Sequence, residues 1–429
     1  MDRREFLASM AATGAVPLSA QGVAAATSAG SDLHGSHSFP SEWEPHDAVW
    51  MGWTSYISES PDHSQLRLAM LAALLPHVKV NMLVEDSATG EEIDRRLAQA
   101  SISNANIEYH VQPTVDVWLR DCGPLFVSDG QSLELASFAW GNYGFPWPYT
   151  NPGSLSRGKV DQEIAERLGY RERTSPIIAE GGGLEVNSRT LVTYRDIMMD
   201  RNPGKGLNDI EAELKRLYGK EQVLWLDRAP ITDRVLQGPK IANFFGWGAN
   251  GHVDEYVRFV SEDTILVGEV GEHERNRDPL MRLDHEILAE NRRQLEAARD
   301  PDGNPFNVVP MPVPDVGPFL RRRNLSAEDF WSTDDGYDVR AFYRDFAVGD
   351  EIIEVPAVSY LNFLVTNGVV LSARYGGEGR PDHLSETDEQ AAAILKSYFP
   401  DREVVQIDPM AANWNGGGMH CLTQQQPRI

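Results

Sequence analysis

Residues Ser64–Val84 read SQLRLAMLAALLPHVKVNMLV, and the two halves of this stretch follow different periods. In the first half Leu66, Met70, Leu71, Leu74 and Leu75 recur at helical spacing, which predicts a helix over Ser64–His77 with one apolar face. In the second half Val78–Val84 is a short aliphatic run broken only by Lys79 and Asn81, which reads as a strand. A helix that leads directly into a strand is the building unit of an α/β fold. The order recurs downstream. Leu207–Tyr218 leads to Val223–Leu226, Pro279–Arg299 to Phe306–Val309, and Thr387–Phe399 to Glu403–Ile407, with Pro400-Asp401 as the stop signal in the last case. Leu133–Phe138, Thr190–Tyr194, Thr264–Gly268 and Val369–Ala373 are further strand candidates. The chain is α/β, with units of irregular length and no visible self-similarity. Pro310–Asp350, rich in Pro, Asp and Arg, reads as a long insertion or loop.

A length of 429 residues suits one large or two ordinary domains, and 41% hydrophobic residues suit a folded chain. The net charge of −25 argues against nucleic acid or an anionic membrane surface as partner and mildly favours a cationic substrate. Arg3-Arg4-Glu5-Phe6-Leu7 precedes a small-residue apolar stretch from Ala8 to Val23 that ends in Ala24-Ala25-Ala26. This is the pattern of a twin-arginine export signal, and Gly14 and Pro17 make it a poor membrane span. The expected organisation is a signal over residues 1–30, a Ser/Gly/His linker over 31–38 and a single domain over 39–429. Export to the periplasm or beyond follows from it.

Several motifs carry chemistry. Trp414-Asn415-Gly416-Gly417-Gly418-Met419-His420-Cys421 places a cysteine on glycine-rich backbone, and a thiolate with a distant His partner is a candidate nucleophile. Asp116 to Pro124 contains Trp118, Arg120 and Asp121 before a Gly-Pro turn. Asp121 can accept paired N–H groups from a planar guanidinium, and Trp118 can cover the cation's face. In Gly251-His252-Val253-Asp254 an extended backbone puts His252 and Asp254 on one side, a charged neighbour beside an acid–base group. Glu180 stands before Gly181-Gly182-Gly183 at the end of an apolar run. Each motif also has a bland reading: an inert buried Cys, an Asx cap, a surface strand start, a turn. The chain has no H-E-x-x-H, closely spaced Cys pair, G-x-S-x-G or phosphate loop, so no metal site is expected. The two cysteines of an exported protein can pair, but both lie in chemically suggestive motifs, and Cys421 is expected to be a free thiol.

Taken in order, these segments resemble the agmatine deiminase and bacterial peptidylarginine deiminase family of the guanidine-modifying pentein superfamily. The matching stretches are Trp43-Glu44-Pro45-His46, Trp118 to Pro124, Glu180-Gly181-Gly182, Arg201-Asn202-Pro203, Gly251 to Asp254, Ser359 to Phe363 and Gly416 to Gln425. The resemblance implies a five-bladed α/β propeller with its site in a central channel, and no metal or organic cofactor. It implies that Cys421 attacks the guanidinium carbon and that His252 protonates the departing ammonia and then activates water. Asp121 and Asp254 would hold the guanidinium, Glu180 would complete an acidic lining, and Trp118 and Trp140 would line the substrate site. His420 receives no role.

Three departures bear on the substrate. The acidic run that the agmatine enzymes carry before Gly-His-x-Asp is here the neutral, aromatic stretch Asn243 to Asn250, whose Phe245 and Trp247 would pack against apolar neighbours of a substrate. The arginine pair of the bacterial peptidylarginine enzyme has no counterpart, and the loop Trp140 to Trp147 is closer to the agmatine type. Cys122 stands where the family commonly has Thr. The expected function is hydrolysis of a guanidinium to a ureido group plus ammonia, first on agmatine (giving N-carbamoylputrescine) or a related alkylguanidine. Arginine in peptides is the alternative, amidino transfer to an amine a third reading, and a non-catalytic binder of cationic guanidines a reading from another class.

Overall fold

The computed structural model describes residues 37–144, 156–234, 240–330, 340 and 343–429. The expected export signal and residues 31–36 of the linker lie outside them, as do residues 145–147 of the Trp140 loop and residues 331–339 and 341–342 of the expected insertion.

Six sheets organise the described residues, and five of them share one plan. In each a first strand is antiparallel to a second, and the second is parallel to a third. Four triplets are continuous in sequence. They are Leu125–Ser128, Leu133–Ala139 and Arg171–Ile178; Glu185–Val186, Thr190–Tyr194 and Gln222–Leu226; Val257–Phe259, Thr264–Glu269 and Asn307–Pro312; and Leu364–Thr366, Val369–Ala373 and Glu403–Ile407. The fifth draws on both ends of the chain. Thr423–Pro427 is antiparallel to His46–Trp53, which is parallel to Lys79–Val84, with Ile107–Val111 added beyond.

Parallel neighbours need a crossover, and each second-to-third step carries a helix. These are Val160–Leu168, Leu207–Tyr218, Pro279–Ala297, Asp382–Tyr398 and Pro61–Leu74. Local chemistry sets their ends. Pro279 occupies the first helical position and the Asp278 side chain accepts the Met281 N–H at 2.9 Å, satisfying one of the four free donors there. Leu207–Tyr218 buries Ile210, Leu214, Leu217 and Tyr218, a single stripe, and stops at Gly219, whose φ of 64° favours a residue without Cβ.

All four expected helices are present, the first starting earlier at Pro61 and the fourth at Asp382. The expected insertion is not one long loop, because Arg321–Asn324 pairs antiparallel with Glu351–Pro356, which runs parallel to Phe244–Trp247. These three strands form the sixth sheet. The absence of self-similarity also needs correction at the level of topology. The five triplets repeat a pairing plan, but loop lengths and side chains differ, so the repeat leaves no trace in residue identity.

Candidate active site

Chemically equipped residues stand shortly before the first strand of every triplet. Asp121 precedes Leu125–Ser128, Glu180 precedes Glu185–Val186, and His252 and Asp254 precede Val257–Phe259. Asn362 precedes Leu364–Thr366 and Cys421 precedes Thr423–Pro427. These segments converge. A Cβ placed on Gly182 would lie 2.6 Å from His252 Nδ1, 2.9 Å from Asp121 Oδ1 and 3.1 Å from Asp254 Oδ2, so only hydrogen fits there. Gly417 answers the same need beside Cys421, where a Cβ would lie 2.9 Å from Cys421 Sγ and 3.0 Å from the Trp118 ring.

His252 and Asp254 do share one side, but not through strand alternation. His252 is extended, and Val253–Glu255 then makes a turn of 3₁₀ helix. The loop before it is held by Asp233, a residue for which the sequence offers no signal. Its carboxylate accepts the N–H groups of Ala249 at 2.7 Å, Gly251 at 2.5 Å and His252 at 2.8 Å.

His252 is fully buried, with Nδ1 3.6 Å from Asp121 Oδ1 and Nε2 3.7 Å from Glu180 Oε2. Burial pushes its pKa down, but Asp121, Glu180 and Asp254 together outweigh burial and lift it to about 9. The imidazole is therefore protonated at neutral pH. Burial raises Asp121 to about 6 against the attraction of His252. Its oxygens accept the Gly182 N–H and the Tyr143 hydroxyl, each at 3.0 Å. Asp254 Oδ2 accepts from His420 Nδ1 at 2.6 Å and Asn362 Nδ2 at 3.2 Å, while buried Oδ1 has no partner among the described residues. An unpaired buried carboxylate oxygen is costly, and a cationic N–H donor would satisfy it.

Cys421 is buried, with Asn362 Nδ2 donating to Sγ at 3.1 Å and two carboxylates nearby, Asp254 Oδ2 at 3.6 Å and Glu255 Oε1 at 3.7 Å. Burial, then Asp254, Glu255 and Asp121, push the thiol well above its ordinary range. The resting site thus holds a thiol, a protonated imidazole and several buried carboxylates.

The family model for Porphyromonas-type peptidyl-arginine deiminases matches residues 38–427. The chain belongs to the Porphyromonas-type peptidyl-arginine deiminase family. It is a hydrolase acting on guanidino C–N bonds, like the deiminases around it. The agmatine deiminase of Pseudomonas aeruginosa strain LESB58 is 28% identical over 397 residues, covering 90% of this chain and 95% of that protein. That of Medicago truncatula is 27% identical over 413 residues, covering 92% and 98%. The solved agmatine deiminase of Enterococcus faecalis shares the fold, with a TM-score of 0.68 at 20% identity over 92% of this chain and 97% of that one.

Within this deiminase framework several expected roles change. Glu180 is not open acidic lining, because Arg201 Nε donates to both of its oxygens at 3.2 Å. Burial would raise Glu180, but Arg201 and His252 outweigh it and bring its pKa to about 2, so it stays ionised and braces His252. Trp118 sits close to Cys421, the two flanking Gly417. Half-buried Trp140 stands one ring back, edge-on to Tyr143 at 5.3 Å between centroids, and Tyr143 is the ring that reaches Asp121. Phe245 is core, 1% exposed and stacked on Tyr343 at 4.8 Å, so it does not face a substrate. Both cysteines are free. Cys122 is a buried thiol packed with Trp50, Leu119 and Phe126, and it contacts the Trp118 carbonyl at 3.4 Å.

Sequence reasoning gave His420 no role and missed Glu42. His420 Nε2 reaches Glu42 Oε1 at 2.8 Å while Nδ1 holds Asp254, and Arg120 and Arg258 also donate to Glu42. Beneath the site lies a buried chain of polar contacts, from Arg120 and Arg258 through Glu42 and His420, that fixes Asp254. Adjacency of His420 to Cys421 was the only sequence signal for it.

Proposed function

We propose that this protein converts a guanidinium to a ureido group and ammonia through a covalent thiouronium on Cys421, with agmatine or a related alkylguanidine as substrate. The observation that carries this reading is the convergence of Cys421, His252, Asp121 and Asp254 around Gly182. A guanidinium between Asp121 and the free oxygen of Asp254 adds a positive charge, and that charge lowers the cost of ionising Cys421. The thiolate attacks the central carbon. Protonated His252 donates to the departing nitrogen, ammonia leaves, and the now neutral imidazole takes a proton from the water that attacks the thiouronium. Breaking the C–S bond releases the ureido product. The five strand triplets are the support for a five-bladed propeller about a central site, since each delivers one edge of the cluster.

Relatives named agmatine deiminase support agmatine as substrate. The family description supports peptidyl-arginine as the second reading, and the twin-arginine pattern of residues 3–7 supports export to the periplasm or beyond for either substrate. Amidino transfer differs only in the acceptor. The test is a colorimetric ureido assay across agmatine, free arginine, arginine peptides and short guanidino acids. Agmatine is expected to give the highest kcat/KM; a peptide preferred by tenfold or more overturns the substrate choice, and no ureido product from any of them overturns the reaction.

A further inference from the structure

The proposed chemistry needs the Cys421 proton to go somewhere. His252 is poorly placed to receive it, since its ring nitrogens face Asp121 and Glu180 and the ring already carries its proton at neutral pH. Two carboxylates lie within reach of the sulfur, and they differ. Asp254 Oδ2 already accepts from His420 and Asn362. Glu255, 3% exposed, has Cys421 Sγ as its side-chain partner, 3.7 Å from Oε1. Its own placement is fixed from behind, because the Ser359 hydroxyl donates to the Glu255 carbonyl at 2.5 Å and Ser359 also receives the Leu361 N–H at 2.9 Å.

The geometry points to Glu255 as the base that takes the Cys421 proton when a guanidinium enters. The S–H bond breaks, an O–H bond forms on Glu255, and the sulfur electron pair attacks the guanidinium carbon. Charge is conserved in the transfer: a carboxylate and a thiol become a carboxylic acid and a thiolate. When the C–S bond breaks at the end of the cycle, Glu255 returns the proton to sulfur. The surroundings suit this exchange. Besides Cys421, the charges that Glu255 feels include those of Asp254, Asp233 and Asp121, and Tyr256 and Tyr375 feel its own in turn. Burial, then Asp254 and Asp233, push its carboxyl well above the ordinary range, which favours its taking up a proton. A neutral Glu255 also removes a negative charge from beside the new thiolate, while Asn362 Nδ2 continues to donate to it.

This inference rests on Cys421 as nucleophile, so the two are tested apart. Cys421→Ser tests the nucleophile; if that variant turns over substrate, both fall. Glu255→Gln keeps the size and loses the base. It should lower kcat at pH 7 by at least about 100-fold, the scale of a lost general base, while KM moves by less than about threefold. Glu255→Ala leaves room for a small carboxylate, and added formate should restore kcat at least about tenfold while formamide, its neutral counterpart, does not. The formate arm also covers a Glu255→Gln variant that fails to fold. A Glu255→Gln enzyme within about fivefold of wild type overturns the proposal. So does a raised KM at unchanged kcat, which would make Glu255 a substrate ligand, and so does equal rescue by formate and formamide or none by either.

Discussion

His252 is the residue on which charge state decides most. Three carboxylates keep its proton in place to about pH 9, and in the proposed mechanism this is what lets it act first as an acid. The cost falls on the other side of the reaction, because Asp121 must be ionised to hold a guanidinium and burial raises it to about 6. The signs give opposite limbs. Below about pH 6 Asp121 gains a proton and loses its attraction for the cation; above about pH 9 His252 loses the proton it must deliver. A plot of kcat/KM against pH should therefore be a bell between these values. His252→Ala should cost on the order of 10²–10⁴ in kcat, and an alkaline limb unchanged in that variant would remove His252 from the acid role.

Loops that enter the first strand of each triplet form the site, and glycines let them meet. Gly182→Ala would set a methyl 2.6 Å from His252 Nδ1 and 2.9 Å from Asp121 Oδ1, so one of these must move. A displacement of about 1 Å is expected to cost about 10²-fold in kcat/KM with the fold retained. Circular dichroism beside kinetics checks it; wild-type turnover would mean that His252 and Asp121 do not work as a pair. Much of this level was legible in sequence. Amphipathic periodicity located Leu207–Tyr218 and Pro279–Ala297 because their apolar stripes are complete. Motif chemistry singled out Cys421, His252, Asp121 and Asp254, which the fold brings together. What stayed hidden depends on long-range contact. Asp233, Glu42 and Glu255 look like ordinary acids until the fold buries them, and Phe245 looked like a substrate contact until Tyr343 covered it.

At the scale of the whole molecule the two ends of the folded region share a sheet. Thr423–Pro427 pairs with His46–Trp53, with Met51 opposite Thr423, and so anchors the strand that begins two residues after the nucleophile. Deleting residues 423–429 should abolish turnover and lower the melting temperature together; an active truncated enzyme would show that this closure does not position Cys421. The central claim is that Cys421 carries the guanidine carbon during turnover. Rapid quenching with agmatine followed by peptide mass spectrometry tests it most directly. The expected result is a transient mass increase on the Cys421 peptide, equal to the amidine remaining after loss of ammonia, with none in Cys421→Ser, which forms no ureido product. Ureido formation by Cys421→Ser at a rate near wild type would contradict the account, and so would an adduct on any other residue.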